Sequence, residues 1–183
     1  AGDLTSAKTG ELFYDSTNLN FIYKQPNVTT AGVFRTGGNI NRPIQSGGGF
    51  GIQTSALMFG GTDGTDRAYT ELYNGSTWTN VGDLNAARQG IMGAGATGTS
   101  GIAIGGYPVT AATESWNGTS WTEVNNLNTA RRDLESAGTA AAGLAFGGAS
   151  VNTELWNGTN WTEVNNLSLA RRNLAGFGKQ TAS

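Results

Sequence analysis

The chain has 183 residues, of which 37% are hydrophobic and 13% are charged, enough for one domain with a core or a short array of repeats. Its net charge is −2, its eleven Lys and Arg are spread along the chain, and no apolar run approaches the ~18 residues of a membrane-spanning helix, so we expect neither nucleic-acid binding nor membrane insertion. It contains no Cys and no His, which excludes disulfides, thiolate zinc sites, histidine-based triads and nearly every transition-metal site, so we predict no cofactor.

Residues 1–30 form a separate N-terminal segment. Glu11-Leu-Phe-Tyr-Asp15 and Phe21-Ile-Tyr-Lys24 are rich in aromatic and β-branched residues, and the polar residues between them are typical of a turn. We therefore predict a β-hairpin. Its first arm is similar to the Glu-Leu-Tyr-Asn-Gly that begins at Glu71, so it is either a degenerate half-repeat or a separate attachment element.

Residues 31–183 form an internal repeat. Segment 154–172 matches segment 114–132 at fifteen of nineteen positions, and segment 71–89 is a looser copy. The second aromatic residue of a copy precedes the next Gly-Gly pair by 26 or 27 residues: Phe34 to Gly60, Trp78 to Gly105, and Trp121 to Gly147. Phe34 thus stands for the tryptophan of a partial first copy, and the chain holds about three and a half units.

Each full unit contains four strand-like runs and no helical apolar period. In the second unit these runs are roughly 90–95, 101–104, 112–116 and 121–124. The second run ends at Gly-Gly, where backbone passes close to backbone. The third and fourth runs are joined by Asn-Gly, at Asn74, Asn117 and Asn157, which supplies the positive φ that a tight hairpin turn requires. We predict an all-β array of four-stranded units.

These landmarks together resemble the kelch repeat. They are Phe59-Gly-Gly, Ile104-Gly-Gly and Phe146-Gly-Gly, followed by Tyr73, Trp116 or Trp156, then by Trp78, Trp121 or Trp161, and then by Arg88, Arg131 or Arg171. The Asn-Gly-Thr-x-Trp pattern and the N-terminal hairpin are similar to segments in virion proteins of tailed phages. The resemblance implies a β-propeller, which needs at least four blades. We expect a fragment of a longer product, a ring completed by other subunits, or an open arc protected by a partner.

The repeated aromatic and basic residues have two interpretations each. The tryptophans could stack on sugars, but recurrence at fixed blade positions favours packing between blades. They are Trp78, Trp116, Trp121, Trp156 and Trp161. The arginines could form an anion-binding ring of the sialidase type, yet we favour ion pairs or bonds to backbone carbonyls. They are Arg88, Arg131 and Arg171, with Glu71, Glu114 and Glu154, or Glu123 and Glu163, as partners.

The loop between the second and third runs differs among the units. It has nine residues at 62–70, seven at 107–113 and five at 149–153. Because variable loops on a constant scaffold are where recognition usually lies, we predict partner contacts there. The candidates are Asp63, Asp66, Arg67, Tyr107 and Pro108. Asp63-Gly-Thr-Asp66 lacks the full spacing of a calcium loop, so we predict no metal site.

The resemblance implies a non-enzymatic virion structural or surface protein, such as a fibre or head decoration of a tailed phage. Its partners would be other virion subunits, copies of itself, or a host-surface glycan. The alternative is a carbohydrate-binding or sialidase-like propeller. A glycosidase needs two carboxylates that converge on one pocket, whereas Glu114, Glu123, Glu154 and Glu163 are repeat positions that favour a framework role. We therefore predict no catalytic residues.

Overall fold

The computed structural model describes the backbone of residues 12–15 and 20–23 and the whole of residues 37–179. The chain divides into two compact units, Ala1–Thr36 and Gly37–Ser183. In the first unit, strands β1 (Leu12–Asp15) and β2 (Asn20–Tyr23) pair antiparallel with Leu12 opposite Tyr23. The predicted N-terminal hairpin is thus confirmed. Both Phe34 and the predicted boundary after residue 30 lie outside the described residues.

The second unit contains three four-stranded antiparallel sheets, each a meander in chain order. Blade one comprises β3 (Gly48–Ile52), β4 (Ser55–Phe59), β5 (Thr70–Tyr73) and β6 (Trp78–Asn80). Blade two comprises β7 (Met92–Thr97), β8 (Ser100–Ile104), β9 (Thr113–Trp116) and β10 (Trp121–Val124). Blade three comprises β11 (Leu134–Gly138), β12 (Gly143–Gly147), β13 (Thr153–Trp156) and β14 (Trp161–Glu163).

The predicted all-β architecture is confirmed. The described part of the chain has no helix, and so none that could span a membrane. The innermost strands β3, β7 and β11 lie side by side, so the sheets follow one another like the blades of a propeller. Residues 37–179 form a partial propeller and close no ring.

The hydrophobic core lies in the seams, the contacts between neighbouring blades. Between blades one and two, Leu57, Phe59 and Ile91 pack with Trp121. Between blades two and three, Ile102, Ile104, Leu134 and Trp161 form an equivalent cluster. Both faces of the middle blade are therefore buried, and each blade depends on its neighbour for much of its core.

The Gly-Gly pair marks a close approach of two backbone segments. A Cβ atom on Gly60 would lie 2.7 Å from the carbonyl oxygen of Arg88, and one on Gly105 would lie 2.5 Å from that of Arg131. Gly60 and Gly105 also have φ values of 63° and 62°. Only glycine fits such a position without strain, so the segment after each blade can cross it closely.

The Asn-Gly turns differ in one respect from the predicted tight turn. Each is a four-residue loop, as between the paired Tyr73 and Trp78. Gly75 has a φ of 95°, whereas the asparagine before it is not in the left-handed region. Instead, Asn74 Oδ1 accepts hydrogen bonds of 2.9 Å from the amides of Ser76 and Thr77. The asparagine therefore stabilises the loop through its side chain.

A residue with a left-handed backbone lies one or two positions before each innermost strand, and Asn173 after blade three has the same conformation. These residues form a ladder, in which Gly90 N donates to Ser46 O (2.8 Å), Asp133 N to Gly90 O (3.1 Å), and Asn173 N to Asp133 O (3.3 Å). Their φ values lie between 51° and 57°. The ladder, composed of Ser46, Gly90, Asp133 and Asn173, links the blades near their innermost strands.

Candidate functional site

Two buried ion pairs join the segment before a blade to the third strand of that blade. Arg88 Nη1 donates to Glu114 Oε1, and Arg88 Nε donates to Gly105 O at 3.0 Å. Arg131 Nη2 donates to Glu154 Oε1 at 2.7 Å, and Nη1 donates to Gly147 O at 3.0 Å. Burial lowers the pKa of Arg131, and the Glu154 carboxylate opposes that shift. These guanidinium groups therefore stabilise the contacts between neighbouring blades.

The other carboxylate oxygen of each glutamate is also bonded. Glu114 Oε2 accepts from the backbone amide and side-chain Nδ2 of Asn85, at 2.8 and 2.7 Å. Asn128 bonds Glu154 Oε2 in the same way, at 2.7 and 2.9 Å. The polar motif is thus Asn-x-x-Arg in the segment before a blade and Glu on the third strand of that blade. The sequence analysis overlooked the asparagine. Its constant spacing of three residues from the arginine could have revealed it.

The first copy of this unit lacks its arginine. Asn41 bonds Glu71 Oε2 at 2.8 and 2.9 Å, but position 44, three residues later, is Ile44. Glu71 is fully buried, and its Oε1 has no hydrogen-bond partner among the described residues. In this first copy one buried carboxylate oxygen of Glu71 therefore has no partner within the described part of the chain.

The predicted pairing of arginine with glutamate is present at two of the three arginines, Arg88 and Arg131. Arg88 pairs with Glu114 of the following blade and not with Glu71. Arg171 is exposed and has no carboxylate within 4 Å among the described residues. Glu123 and Glu163 are also exposed. The three arginines therefore do not form one anion-binding ring.

The tryptophans lie mainly within the seams. Trp116, Trp121, Trp156 and Trp161 are buried, whereas Trp78 is half-buried. Trp121 Nε1 donates to Thr70 Oγ1 of the preceding blade at 3.0 Å, and its ring lies edge-on to Phe59 at 4.9 Å. Trp161 Nε1 donates likewise to Thr113 Oγ1 at 3.1 Å. Four of the five rings are thus covered by protein and offer no free face to a sugar.

The loop between β4 and β5 contains three of the predicted contact residues. Arg67 Nε donates to both carboxylate oxygens of Asp63, at 2.9 and 3.0 Å. This contact lowers the pKa of Asp63 and raises that of Arg67. Asp66 Oδ1 accepts from Gln89 Nε2 at 2.9 Å. Asp63 and Arg67 therefore pair with each other, and Asp66 contacts the segment that leads to blade two.

Tyr107 and Pro108 lie at the corresponding loop of blade two. Tyr107 N donates to Gln89 O at 2.6 Å, and Gln89 N donates to Tyr107 O at 3.1 Å. Tyr107 is 41% exposed, and the guanidinium of Arg132 lies 4.8 Å from the centroid of its ring. Gln89 therefore connects Asp66 to Tyr107, so that loops of two blades form one continuous surface.

A second tyrosine and arginine group was missed by the sequence analysis. Arg42 lies 3.7 Å from the centroid of Tyr69, and Arg67 lies 5.5 Å from it. An open groove of about 390 Å³ adjoins this part of the chain and is lined by Pro43, Ile44, Gln45, Thr62 and Asp63. Arg42 directly follows Asn41 in the first copy, where the later copies have Ala86, Thr129 and Leu169, so only the differences between copies could have indicated it.

We call the polar surface formed by the β4–β5 and β8–β9 loops and Gln89 the loop face. Within residues 37–179 no group of three or more acidic residues could hold a metal ion. The chain matches no protein-family model, and no curated protein is significantly similar to it.

Proposed function

We propose that this chain is a non-enzymatic virion protein of a tailed phage, a kelch-like partial propeller that serves as a fibre or head decoration. The proposal rests on the burial of the repeated polar residues in ion pairs. Arg88 and Arg131 are buried in pairs with Glu114 and Glu154, so these groups hold blades together. Because these groups are buried in structural pairs, we favour a binding scaffold over an enzyme.

The loop face is the proposed contact surface. It combines the partly exposed ion pair of Asp63 and Arg67 with the exposed Tyr107. Exposed tyrosine and arginine are enriched where proteins bind one another. Pro108 follows Tyr107 in the same loop. The partner would be a neighbouring virion subunit, another copy of the chain, or a glycan of the host surface.

One observation favours a carbohydrate-binding propeller as the second candidate. The Tyr107 ring is exposed beside Arg132, and an aromatic face next to hydrogen-bond donors suits a sugar ring. A sialidase-like reaction has less support, because Arg88 and Arg131 are buried in the seams and are not available to a substrate carboxylate.

Particle incorporation tests the first candidate. An antibody against residues 37–179 should label purified particles, and a chain without residues 1–30 should no longer copurify with them. Absence of the protein from particles, or turnover of a chromogenic glycoside by the purified chain, would contradict the proposal. Saturable glycan binding that Tyr107→Ala abolishes, in a chain absent from particles, would favour the second candidate.

A further inference from the structure

The outward face of blade three lacks contacts that the equivalent faces of blades one and two possess. Thr70 and Thr113, the first residues of β5 and β9, each accept an indole N–H from the next blade. Thr153 begins β13 at the equivalent position. Its Oγ1 is buried and has no hydrogen-bond partner among the described residues. The acceptor for a further tryptophan is therefore in place.

Arg171 presents the matching charge. Arg88 and Arg131 each bond a glutamate on the third strand of the blade that follows them. Arg171 occupies the corresponding position in the sequence after blade three. Its carbonyl oxygen accepts from Ala149 N at 2.8 Å, one residue beyond the Gly-Gly pair, whereas those of Arg88 and Arg131 accept from Gly61 N and Gly106 N. Its side chain is exposed and has no carboxylate partner within residues 37–179. A carboxylate at the corresponding position of a partner would complete the pair.

The apolar residues on this face are also less covered. Leu57 and Phe59 of blade one and Ile102 and Ile104 of blade two are at most 2% exposed. Their equivalents Leu144 and Phe146 are only half-buried. In the first seam the indole of Trp121 covers Phe59. An indole supplied from outside would bury Phe146 in the same way.

Residues 174–178 already follow the course of an innermost strand on this face. Leu174 lies against Gly147 as Leu134 lies against Gly105. A Cβ atom on Gly147 would lie 2.5 Å from Leu174 Cδ1, and one on Gly105 would lie 2.7 Å from Leu134 Cδ2. Gly138 N donates to Gly178 O at 3.1 Å. The segment continues the left-handed ladder through Asn173. Within residues 37–179 this face has no equivalent of the second, third and fourth strands.

We propose that the outward face of blade three binds a β-hairpin segment of the repeat's own chemistry, with a glutamate and, seven residues later, a tryptophan. That spacing separates Glu114 from Trp121, and Glu154 from Trp161, in the two complete seams. The glutamate pairs with Arg171, the indole N–H donates to Thr153 Oγ1, and the indole ring covers Phe146. The proposal rests on the seams alone and is independent of whether the chain belongs to a virion.

The probe is a synthetic, fluorescently labelled peptide with the sequence of residues 98–127, which includes Glu114 and Trp121. Fluorescence anisotropy measures its binding to the intact chain. We expect Arg171→Gln to weaken binding roughly tenfold, as for a charge-assisted hydrogen bond. Arg172→Gln is the matched control, because Arg172 is the adjacent exposed arginine, and it should leave binding unchanged. Glu114→Gln in the peptide should cause the same loss, with no further loss when combined with Arg171→Gln.

A tethered form covers the case in which the free peptide fails to fold. The same segment is joined after Ser183 by a flexible linker, which raises its effective concentration to about the millimolar range. We expect a higher Tm for this fusion than for one in which the added tryptophan is alanine. Equal binding by the two arginine variants, or no binding together with equal Tm values of the two fusions, would overturn the proposal. A second folded copy has no free indole to offer, because Trp78, Trp121 and Trp161 already donate their N–H groups within the chain. Self-association that Arg171→Gln abolishes would therefore also overturn the proposal.

Discussion

Arg131 donates a 2.7 Å hydrogen bond from Nη2 to Oε1 of Glu154, and both side chains are almost fully buried. The pair lies between a segment that has left blade two and a strand of blade three. Removing one member of a buried pair leaves the other charge without compensation. Each seam thus combines an apolar contact with a polar contact that requires both partners.

Glu154→Gln should destabilise the chain by roughly 3 to 5 kcal/mol, because the Arg131 guanidinium then remains buried without its counter-ion. The measurement is the free energy of unfolding from urea titration. Glu163→Gln is the control, since Glu163 is exposed on the neighbouring strand. Equal stability of the two variants would contradict a structural role for the pair.

Ile44→Arg should stabilise blade one by about 1 to 2 kcal/mol, because the new guanidinium would pair with Oε1 of buried Glu71, which has no partner within residues 37–179. The midpoint and slope of urea unfolding give the change in free energy. Ile44→Met retains an apolar side chain and serves as the control. If the gain persists when Glu71→Gln is added to Ile44→Arg, it has a source other than the new pair.

Thr70→Val and Thr153→Val should have different effects although the two residues occupy equivalent positions. Thr70→Val leaves the buried indole N–H of Trp121 without its acceptor, which costs about 1 to 3 kcal/mol. Thr153 Oγ1 has no partner in the described part of the chain, so its replacement by a methyl group should be neutral or stabilising. Thermal unfolding of both variants is the comparison. Similar losses of Tm would contradict the claim that Thr70 accepts an indole hydrogen bond and Thr153 does not.

The Asp63 carboxylate should titrate below its usual pKa of 3.8, because Arg67 donates to both of its oxygens. Since the folded pKa is the lower one, the stabilising contact is fully present above the unfolded pKa. It is lost as the pH falls through the folded pKa. An NMR titration of the side-chain carboxyl carbon measures the midpoint. Arg67→Gln should move that midpoint upward, and an unchanged midpoint would mean that the ion pair does not form in solution.

Much of the fold could be predicted because its signals are local and repeated. Asn74-Gly75 and its two copies mark the outer hairpins, and Gly60 and its equivalents mark the close approach of backbone segments. The partner of each arginine could not be predicted in this way. Glu71, Glu114 and Glu154 recur with the same period as the arginines, so spacing alone does not show which blade contributes each member of a pair.

The sequence by itself determined the all-β class, the four strands per blade and the position of the variable loops, because periodicity and turn residues act over short distances. The tertiary structure decided which groups meet across the seams. The left-handed ladder has a different amino acid at each step, Ser46, Gly90, Asp133 and Asn173, so no shared residue type marks it in the sequence. Likewise, Asp66 and Tyr107 belong to one surface only because Gln89 bonds to both loops. Contacts between blades depend on how the sheets stack, and that is a property of the folded array.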